Sequence, residues 1–235
     1  MNNREIQRQY LRRFAADYTA TVVRPQAEIY RVVNPMLGTR ARGDTLIVGA
    51  GPQWHIEDTR IGKVTALDYS ESMLRQADWR NRASPVCADA AALPFDRGTF
   101  DTVILPFVVH HLGQDTVFDT DKIVGHAVAE ASRVLRRNGR LIVVDLFLPQ
   151  WFEMVERMFY SAAVLAMHQF ARPMMFFYSL PNFREIIADN PLRVADVKKL
   201  ELHEELVITL LAPRWKVSPR RHPAKFHFIE CEKQP

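Results

Sequence analysis

Residues 44–52 read Asp-Thr-Leu-Ile-Val-Gly-Ala-Gly-Pro, and residues 63–69 read Lys-Val-Thr-Ala-Leu-Asp-Tyr. Both segments are apolar at successive positions, which is typical of parallel strands that are buried on both faces. The first segment ends in Gly-x-Gly, where glycine allows a sharp turn and a close approach of the backbone to a ligand. The second ends in Asp68, whose carboxylate is placed to accept hydrogen bonds from two ribose hydroxyls. Together they predict a nucleoside site at the carboxyl edge of a parallel sheet.

The residues after the glycines indicate which kind of nucleoside fits. A dinucleotide-binding fingerprint has a third glycine three residues after the second, and this chain has Trp54 there. No lysine or arginine directly follows the glycines to hold a pyrophosphate. A nucleoside without a pyrophosphate, such as S-adenosylmethionine (SAM), therefore fits better than a nicotinamide dinucleotide.

Composition indicates an ordinary globular protein. The chain has 235 residues, 48% of them hydrophobic and 25% charged, with a formal net charge of +4. Its two cysteines, Cys87 and Cys231, predict neither a disulfide framework nor a metal site. The first five residues do not predict a signal peptide, and charged residues interrupt the apolar region 151–178, so no membrane span is predicted. We expect a cytoplasmic protein that acts on a small molecule and has no nucleic-acid partner; a homodimer is compatible with the sequence.

The segments before the first strand predict helices. Ile6, Tyr10, Phe14 and Tyr18 recur every four residues, and a second helical segment follows Pro25 and is expected to break at Asn34-Pro35. We predict that residues 1–38 form a helical cap over the sheet edge. The first segment also contains Arg4, Arg8 and Arg12, which we interpret as a solvent-exposed stripe on another face of this helix.

The remaining chain predicts further strands and a sheet-covering helix. Strands are expected at 85–88, 100–106 and 140–144, and a helix at 121–137, stopped by Asn138-Gly139. A helical insertion at about 147–190 is expected to form a substrate cap on the domain 39–235. Segments 204–211 and 226–229 flank a short basic loop, so they predict an antiparallel hairpin.

Five segments, in this order and spacing, resemble the class I SAM-dependent methyltransferases, and within them the ubiquinone/menaquinone-type small-molecule branch. They are 46–51, 66–74, 88–95, 100–112 and 133–141. The resemblance implies an α/β fold with a Rossmann-like seven-stranded sheet, mostly parallel with an antiparallel C-terminal hairpin. It also implies SAM as the cofactor.

The resemblance assigns roles to individual residues. Asp68 would hold the ribose hydroxyls, Asp89 would accept from the adenine amino group, and Pro106 would border the sulfonium. The full implied cofactor-binding set is Tyr18, Gly49, Ala50, Gly51, Asp68, Tyr69, Met73, Asp89, Ala90, Leu105 and Pro106.

The chain departs from the family pattern at the amino-acid end of the cofactor. The family usually has an acid where this chain has Ile47, and a glycine where it has Gln53. The connector at 52–62 is also short for the helix expected there.

Candidate residues for chemistry follow the fourth strand and lie in the insertion. His110 and His111 are the predicted catalytic residues, because they follow a strand at the edge where open α/β sheets bind ligands. His55 and Asp145 are weaker candidates. His168, Phe177 and Tyr178 are the predicted substrate-binding residues, the last two in an aromatic and methionine-rich run at 174–178.

Three functions are compatible with these features. A small-molecule methyltransferase acting on oxygen, nitrogen or carbon is favoured. The departures at Ile47 and Gln53 keep open an enzyme that transfers or cyclises the aminocarboxypropyl arm of SAM and releases methylthioadenosine. A non-catalytic SAM-binding partner protein is the third.

Overall fold

The computed structural model describes residues 1–52, 61–77, 83–204, 206–208, 215–217 and 222–234. Gln53, Trp54 and His55 of the short connector lie outside the described residues, as do residues 212–214 and 218–221 of the predicted basic loop.

The core of the protein is a seven-stranded sheet. Its strands are β1 (Gly43–Val48), β2 (Ile61–Asp68), β3 (Ser84–Cys87), β4 (Phe100–Pro106), β5 (Leu135–Phe147), β6 (Leu192–Lys199) and β9 (Lys225–Lys233). They lie in the order β3-β2-β1-β4-β5-β9-β6. The first five are parallel, whereas β9 is antiparallel to both of its neighbours. The predicted Rossmann-like, mostly parallel sheet is confirmed.

The C-terminal hairpin was predicted with the wrong partner. Residues 226–229 do belong to β9, but β9 pairs with β6 and β5 rather than with segment 204–211. Within that segment, β7 (Leu206–Ile208) instead pairs with β8 (Trp215–Val217) in a separate two-stranded sheet. A register shift between Val194 and Asp196 interrupts the alternation of apolar residues in β6, which hides this strand in the sequence.

Helices cover both faces of the sheet. They are α1 (Asn3–Tyr18), α2 (Ala27–Arg40), α3 (Glu71–Leu74), α4 (Val117–Val134), α5 (Gln150–Gln169) and α6 (Leu180–Ala188). One buried cluster joins α4, α5 and α6 to the sheet, and a second joins α2 to the opposite face. Among the helices described, none combines the length and apolar character needed to cross a bilayer.

The second N-terminal helix does not break at Asn34-Pro35. Helix α2 runs through Pro35 to Arg40, and its Val33 and Leu37 are fully buried against the sheet. Burial of this face offsets the loss of about 3 kcal/mol that an internal proline causes. Helix α2 is thus part of the sheet's core, while the boundary at residue 38 stays a prediction.

Helix α4 ends earlier than its apolar pattern indicated. It begins after Thr116, whose hydroxyl accepts from the Asp119 N–H at 3.1 Å, and it ends at Val134. Asn138 does adopt a left-handed backbone, with φ of 59°. That turn lies inside β5, at an irregularity in its pairing with β4, rather than at the end of the helix.

Candidate functional site

A glycine turn and a buried carboxylate meet at the carboxyl edge of β1 and β2. Gly49 has φ of 73°, and a Cβ atom there would lie 2.8 Å from a Val108 methyl group. The Asp68 carboxylate accepts from the backbone N–H of Gly51 at 2.9 Å and of Ser70 at 2.8 Å. Burial raises the pKa of Asp68, and these two N–H groups oppose that shift. The carboxylate is therefore fixed by two loops before any ligand arrives.

A cavity of about 110 Å³ opens beside this carboxylate, and we call it the nucleoside cavity. Ten of the eleven predicted cofactor-binding residues line it. They are Tyr18, Gly49, Ala50, Gly51, Asp68, Tyr69, Met73, Asp89, Ala90 and Pro106. Leu105 does not line it, because its side chain is 2% exposed and packs in the sheet's core.

Helix α1 closes the end of the nucleoside cavity where adenine is expected. The Arg4 guanidinium forms an ion pair with Asp89 and lies over the Tyr69 ring, 4.8 Å from its centroid. Arg8 lies 5.4 Å from the same centroid. The arginines interpreted as a solvated stripe thus contact two predicted adenine-binding residues, and this contact has no signature in the local sequence.

A second and larger cavity, of about 540 Å³, adjoins the first, and we call it the acceptor cavity. Tyr18, Tyr30, Phe107 and His111 line both cavities. Most of the other lining residues are apolar or aromatic and come from α1, α5 and the segment 173–177. A mainly apolar concave site with few polar groups is the usual form of a small-molecule pocket.

The wall between the cavities contains a strained residue. Phe107 has φ of 54°, a backbone conformation that is rare for a bulky side chain. Its N–H donates to the Val144 carbonyl at 2.7 Å, and its ring packs edge-on against Tyr30 and Phe226. Such strain often occurs at functional sites.

His110 and Asp145 form a buried pair in the wall of the acceptor cavity. Asp145 lies near the C-terminal end of β5, the strand next to β4, and its Oδ1 lies 2.5 Å from His110 Nδ1. The Asp145 side chain is held by the N–H of Val109 at 2.8 Å and of Leu146 at 2.7 Å. Because the carboxylate accepts from Nδ1–H, the Nε2 atom of the neutral imidazole carries the free lone pair. The pair has the form of an oriented general base.

His111 lies between the two cavities. Its ring centroid is 4.2 Å from that of His110. Burial, and secondarily the neighbouring His110, lower the pKa of His111 well below 6.5. His111 is therefore neutral at physiological pH and contributes an uncharged polar wall.

Of the three predicted substrate-binding residues, one lines the acceptor cavity and the other two do not. Phe177 lines the acceptor cavity and stacks on His110, with ring centroids 5.3 Å apart. Tyr178 is buried in the core instead, where its hydroxyl donates to Asp121 Oδ1 at 2.8 Å. His168 does not line either cavity; its Nε2 lies 3.4 Å from Asn3 Oδ1.

Glu156 is a cavity residue that sequence reasoning missed, because it was counted only as a charge interrupting an apolar region. It lines the acceptor cavity from α5, and its Oε1 accepts from the Phe177 N–H at 3.4 Å. Burial raises its pKa to about 8, with a smaller upward effect from Glu153. This carboxyl is thus mostly protonated at neutral pH.

The raised pKa of Glu156 predicts a pH-dependent stability difference between the wild type and Glu156→Gln. Between pH 4.5 and about 8 the folded protein keeps a proton that the unfolded chain releases, so ionisation opposes folding as the pH rises. Glutamine removes this effect. In differential scanning calorimetry, the variant should match the wild type near pH 4.5 and exceed its stability by up to about 5 kcal/mol at pH 9. Glu185→Gln, at an exposed position of α6, is the control, and a gap that does not change with pH would contradict the assignment.

Comparison with known proteins gives the family of the central segment. Residues 46–143, from β1 to β5, match the family described as "Methyltransferase domain". This segment is therefore similar to the methyltransferase domains of that family. The match contains the glycine turn, Asp68, Asp89 and the His110–His111 pair, and it supports SAM as the cofactor.

Curated relatives match the chain over a limited length. The ubiquinone/menaquinone biosynthesis C-methyltransferase UbiE of Roseobacter denitrificans is 35% identical over 91 residues, which is 36% of this chain and 33% of the relative. The matched part of the chain thus spans about a third of this relative's length. The similarity gives weak support to the ubiquinone/menaquinone-type branch.

Solved structures share the fold over most of the chain. A complex of DhpI with SAH has a TM-score of 0.63 at 19% identity and covers 99% of this chain and 97% of its own. The [4+2]-cyclase SpnF has a TM-score of 0.59 at 12% identity and covers 86% of this chain and 80% of its own. At these identities the similarity shows the fold alone.

Proposed function

We propose that this protein transfers the methyl group of SAM to a small, largely apolar molecule, and that His110, oriented by Asp145, is the general base. The observation that carries the proposal is the 2.5 Å contact between His110 Nδ1 and Asp145 Oδ1 in the wall of a cavity that adjoins the nucleoside cavity. A methyltransferase without a need for deprotonation requires no such pair.

The nucleoside cavity offers groups that fit SAM. The buried Asp68 carboxylate supplies acceptors for two ribose hydroxyls, and the Gly49–Gly51 turn leaves room for a close-lying ligand. When bound, SAM supplies an electrophilic methyl group on a sulfonium centre. Pro106 and His111 line this cavity on the side that continues into the acceptor cavity.

The protein's own groups would then align and deprotonate the acceptor. Nε2 of His110 takes the proton of the acceptor's hydroxyl or acidic C–H group, and Asp145 stabilises the imidazolium that forms. The electron pair left on the acceptor forms the new bond to the methyl carbon as the carbon–sulfur bond breaks. The apolar walls exclude water and hold the acceptor in line with that bond.

The geometry favours an acceptor that must lose a proton. A hydroxyl or an activated carbon is a weak nucleophile until it is deprotonated, and the His110–Asp145 pair would remove that proton. The relatives are named as C-methyltransferases, which agrees with the carbon option. A cytoplasmic location and a homodimer stay predictions.

Transfer or cyclisation of the aminocarboxypropyl arm is the second candidate. Ile47 is 1% exposed within the sheet's core, so it offers no acid to the amino-acid end of the cofactor. The similarity to a cyclase adds that this fold also occurs in a protein named for another reaction.

Product analysis separates these candidates. The purified protein is incubated with SAM labelled in the methyl group and with extracts of small molecules, and the products are followed by mass spectrometry. We expect S-adenosylhomocysteine to accumulate together with one labelled acceptor. Methylthioadenosine as the main product would establish the second candidate, and stable SAM in every extract would favour a non-catalytic binding protein.

A further inference from the structure

Glu156 is one of the polar residues of the acceptor cavity that the proposed mechanism leaves unused. Its Oε2 atom is buried and has no hydrogen-bond partner within the part of the chain that the structure describes. A buried polar atom without a partner is costly, and native structures rarely keep one without a purpose. Because this atom belongs to a residue that lines the cavity, a bound molecule is the natural source of its partner.

The protonation of Glu156 makes it a donor. Oε1 already accepts the Phe177 N–H at 3.4 Å, so the acid proton belongs on Oε2. The nearby cation, Arg157, is committed elsewhere: it donates to Asp121 at 2.9 Å and to Glu153 at 2.9 Å. The raised pKa, caused mainly by burial, agrees with a neutral carboxyl group.

Glu156 and the proposed base, His110, both contact Phe177. Phe177 contacts both groups, because its backbone N–H donates to Glu156 and its ring stacks on His110. The donor and the base therefore flank one residue of the cavity wall, a separation that a single small molecule can span.

We propose that Glu156 selects the acceptor molecule by donating a hydrogen bond from its carboxyl group to a carbonyl oxygen of an uncharged substrate whose reacting atom lies at His110. The inference rests on the proposed function for the role of His110 alone. A neutral carbonyl gives Oε2 its missing partner without placing a charge in an apolar cavity. A ligand carboxylate would lie near Glu153 and close to a group that resists ionisation, and an ammonium would require the ionised form that burial disfavours.

Titratable and charged groups around Glu156 limit the choice of pH range. On α5 they are Glu153, Arg157 and Tyr160, and around the cavity they are Tyr10, Tyr18, Tyr30, His110, His111, Arg172 and His222. The test therefore compares variants of Glu156 at each pH, so that changes in the other groups cancel.

Binding of two uncharged bicyclic molecules tests the proposal without any turnover. 1-Tetralone and tetralin have nearly the same size and differ by one carbonyl oxygen, and neither ionises between pH 6.5 and 9.5. Affinities are measured by isothermal titration calorimetry with the wild type, Glu156→Gln and Glu156→Leu. At pH 6.5 we expect the wild type to bind tetralone about tenfold more tightly than tetralin, and this ratio should fall towards one at pH 9.5.

The two variants show whether the preference for tetralone comes from a hydrogen bond donated at position 156 or only from the packing of that side chain. The glutamine amide donates at every pH, so Glu156→Gln should keep the preference for tetralone at pH 9.5. Glu156→Leu should lose it at both pH values while retaining tetralin binding, which also shows that the variant is folded. A wild-type ratio near one at pH 6.5, or an unchanged ratio in Glu156→Leu, overturns the proposal. Tighter binding of 1-aminotetralin than of tetralone at pH 8.5 overturns it in favour of an amine site. Since no methyl transfer is measured, failure here is distinct from failure of the proposed function.

Discussion

Replacing His110 with alanine should lower kcat for methyl transfer by about 10²–10⁴-fold, the range expected for loss of a general base. The KM for SAM should change little, because His110 lines the acceptor cavity and not the nucleoside cavity. Asp145→Asn should lower kcat through the same route, because an amide at that position no longer fixes the Nδ1–H tautomer. The measurement is initial-rate kinetics at saturating SAM, in which the kcat of each variant is compared with that of the wild type.

His126→Ala is the matched control for this substitution. His126 is an exposed histidine on α4, so its removal should leave kcat unchanged. If His110→Ala keeps kcat within threefold of the wild type, then His110 only shapes the cavity and the acceptor ionises without help from the protein.

Replacing Asp68 with asparagine should weaken binding of both SAM and S-adenosylhomocysteine by roughly 100-fold or more. Two charge-assisted hydrogen bonds to the ribose hydroxyls, each contributing about 1.5–3 kcal/mol, become weaker neutral contacts or are lost. Asparagine keeps the size of the side chain and one carbonyl oxygen for the Gly51 or Ser70 N–H, so the fold should survive. Isothermal titration calorimetry with both nucleosides measures the effect, and circular dichroism confirms folding.

Asp44→Asn supplies the comparison for Asp68→Asn. Asp44 lies at the opposite end of β1, where it pairs with Arg136 at 3.1 Å on the surface, and exposed ion pairs of this kind contribute little. Unchanged affinity in a folded Asp68→Asn protein would remove the carboxylate from the ribose site and, with it, the orientation of the cofactor assumed for methyl transfer.

The sequence predicted the fold correctly wherever residues close together in the chain determine the local structure. The glycine turn, Asp68 and the five parallel strands were predicted because buried strands and a positive-φ glycine leave direct signals within a few residues. The errors lie where distant packing overrides a local signal. Pro35 should end α2, yet burial of Val33 and Leu37 keeps the helix intact.

The candidate site was only partly predictable for the same reason. His110 was identified from its position after β4. Asp145 was only a weaker candidate, because its contact with His110 depends on the pairing of β5 with β4 in the sheet. The contact between Arg4 and Asp89 joins residues 85 positions apart in the chain, and Glu156 became a cavity residue only when α5 folded over the sheet edge. In the run 174–178, Phe177 faces the cavity and Tyr178 the core, a difference that composition does not encode.

Helix α1 contributes Arg4 to the nucleoside cavity, Tyr10 and Phe14 to the acceptor cavity, and Leu11 to both. The same helix therefore borders both ligand sites, and the π-helical turn at Thr19–Val23 follows it on the way to α2, which packs on the sheet. A molecule bound in the acceptor cavity would thus contact the element that also borders the nucleoside.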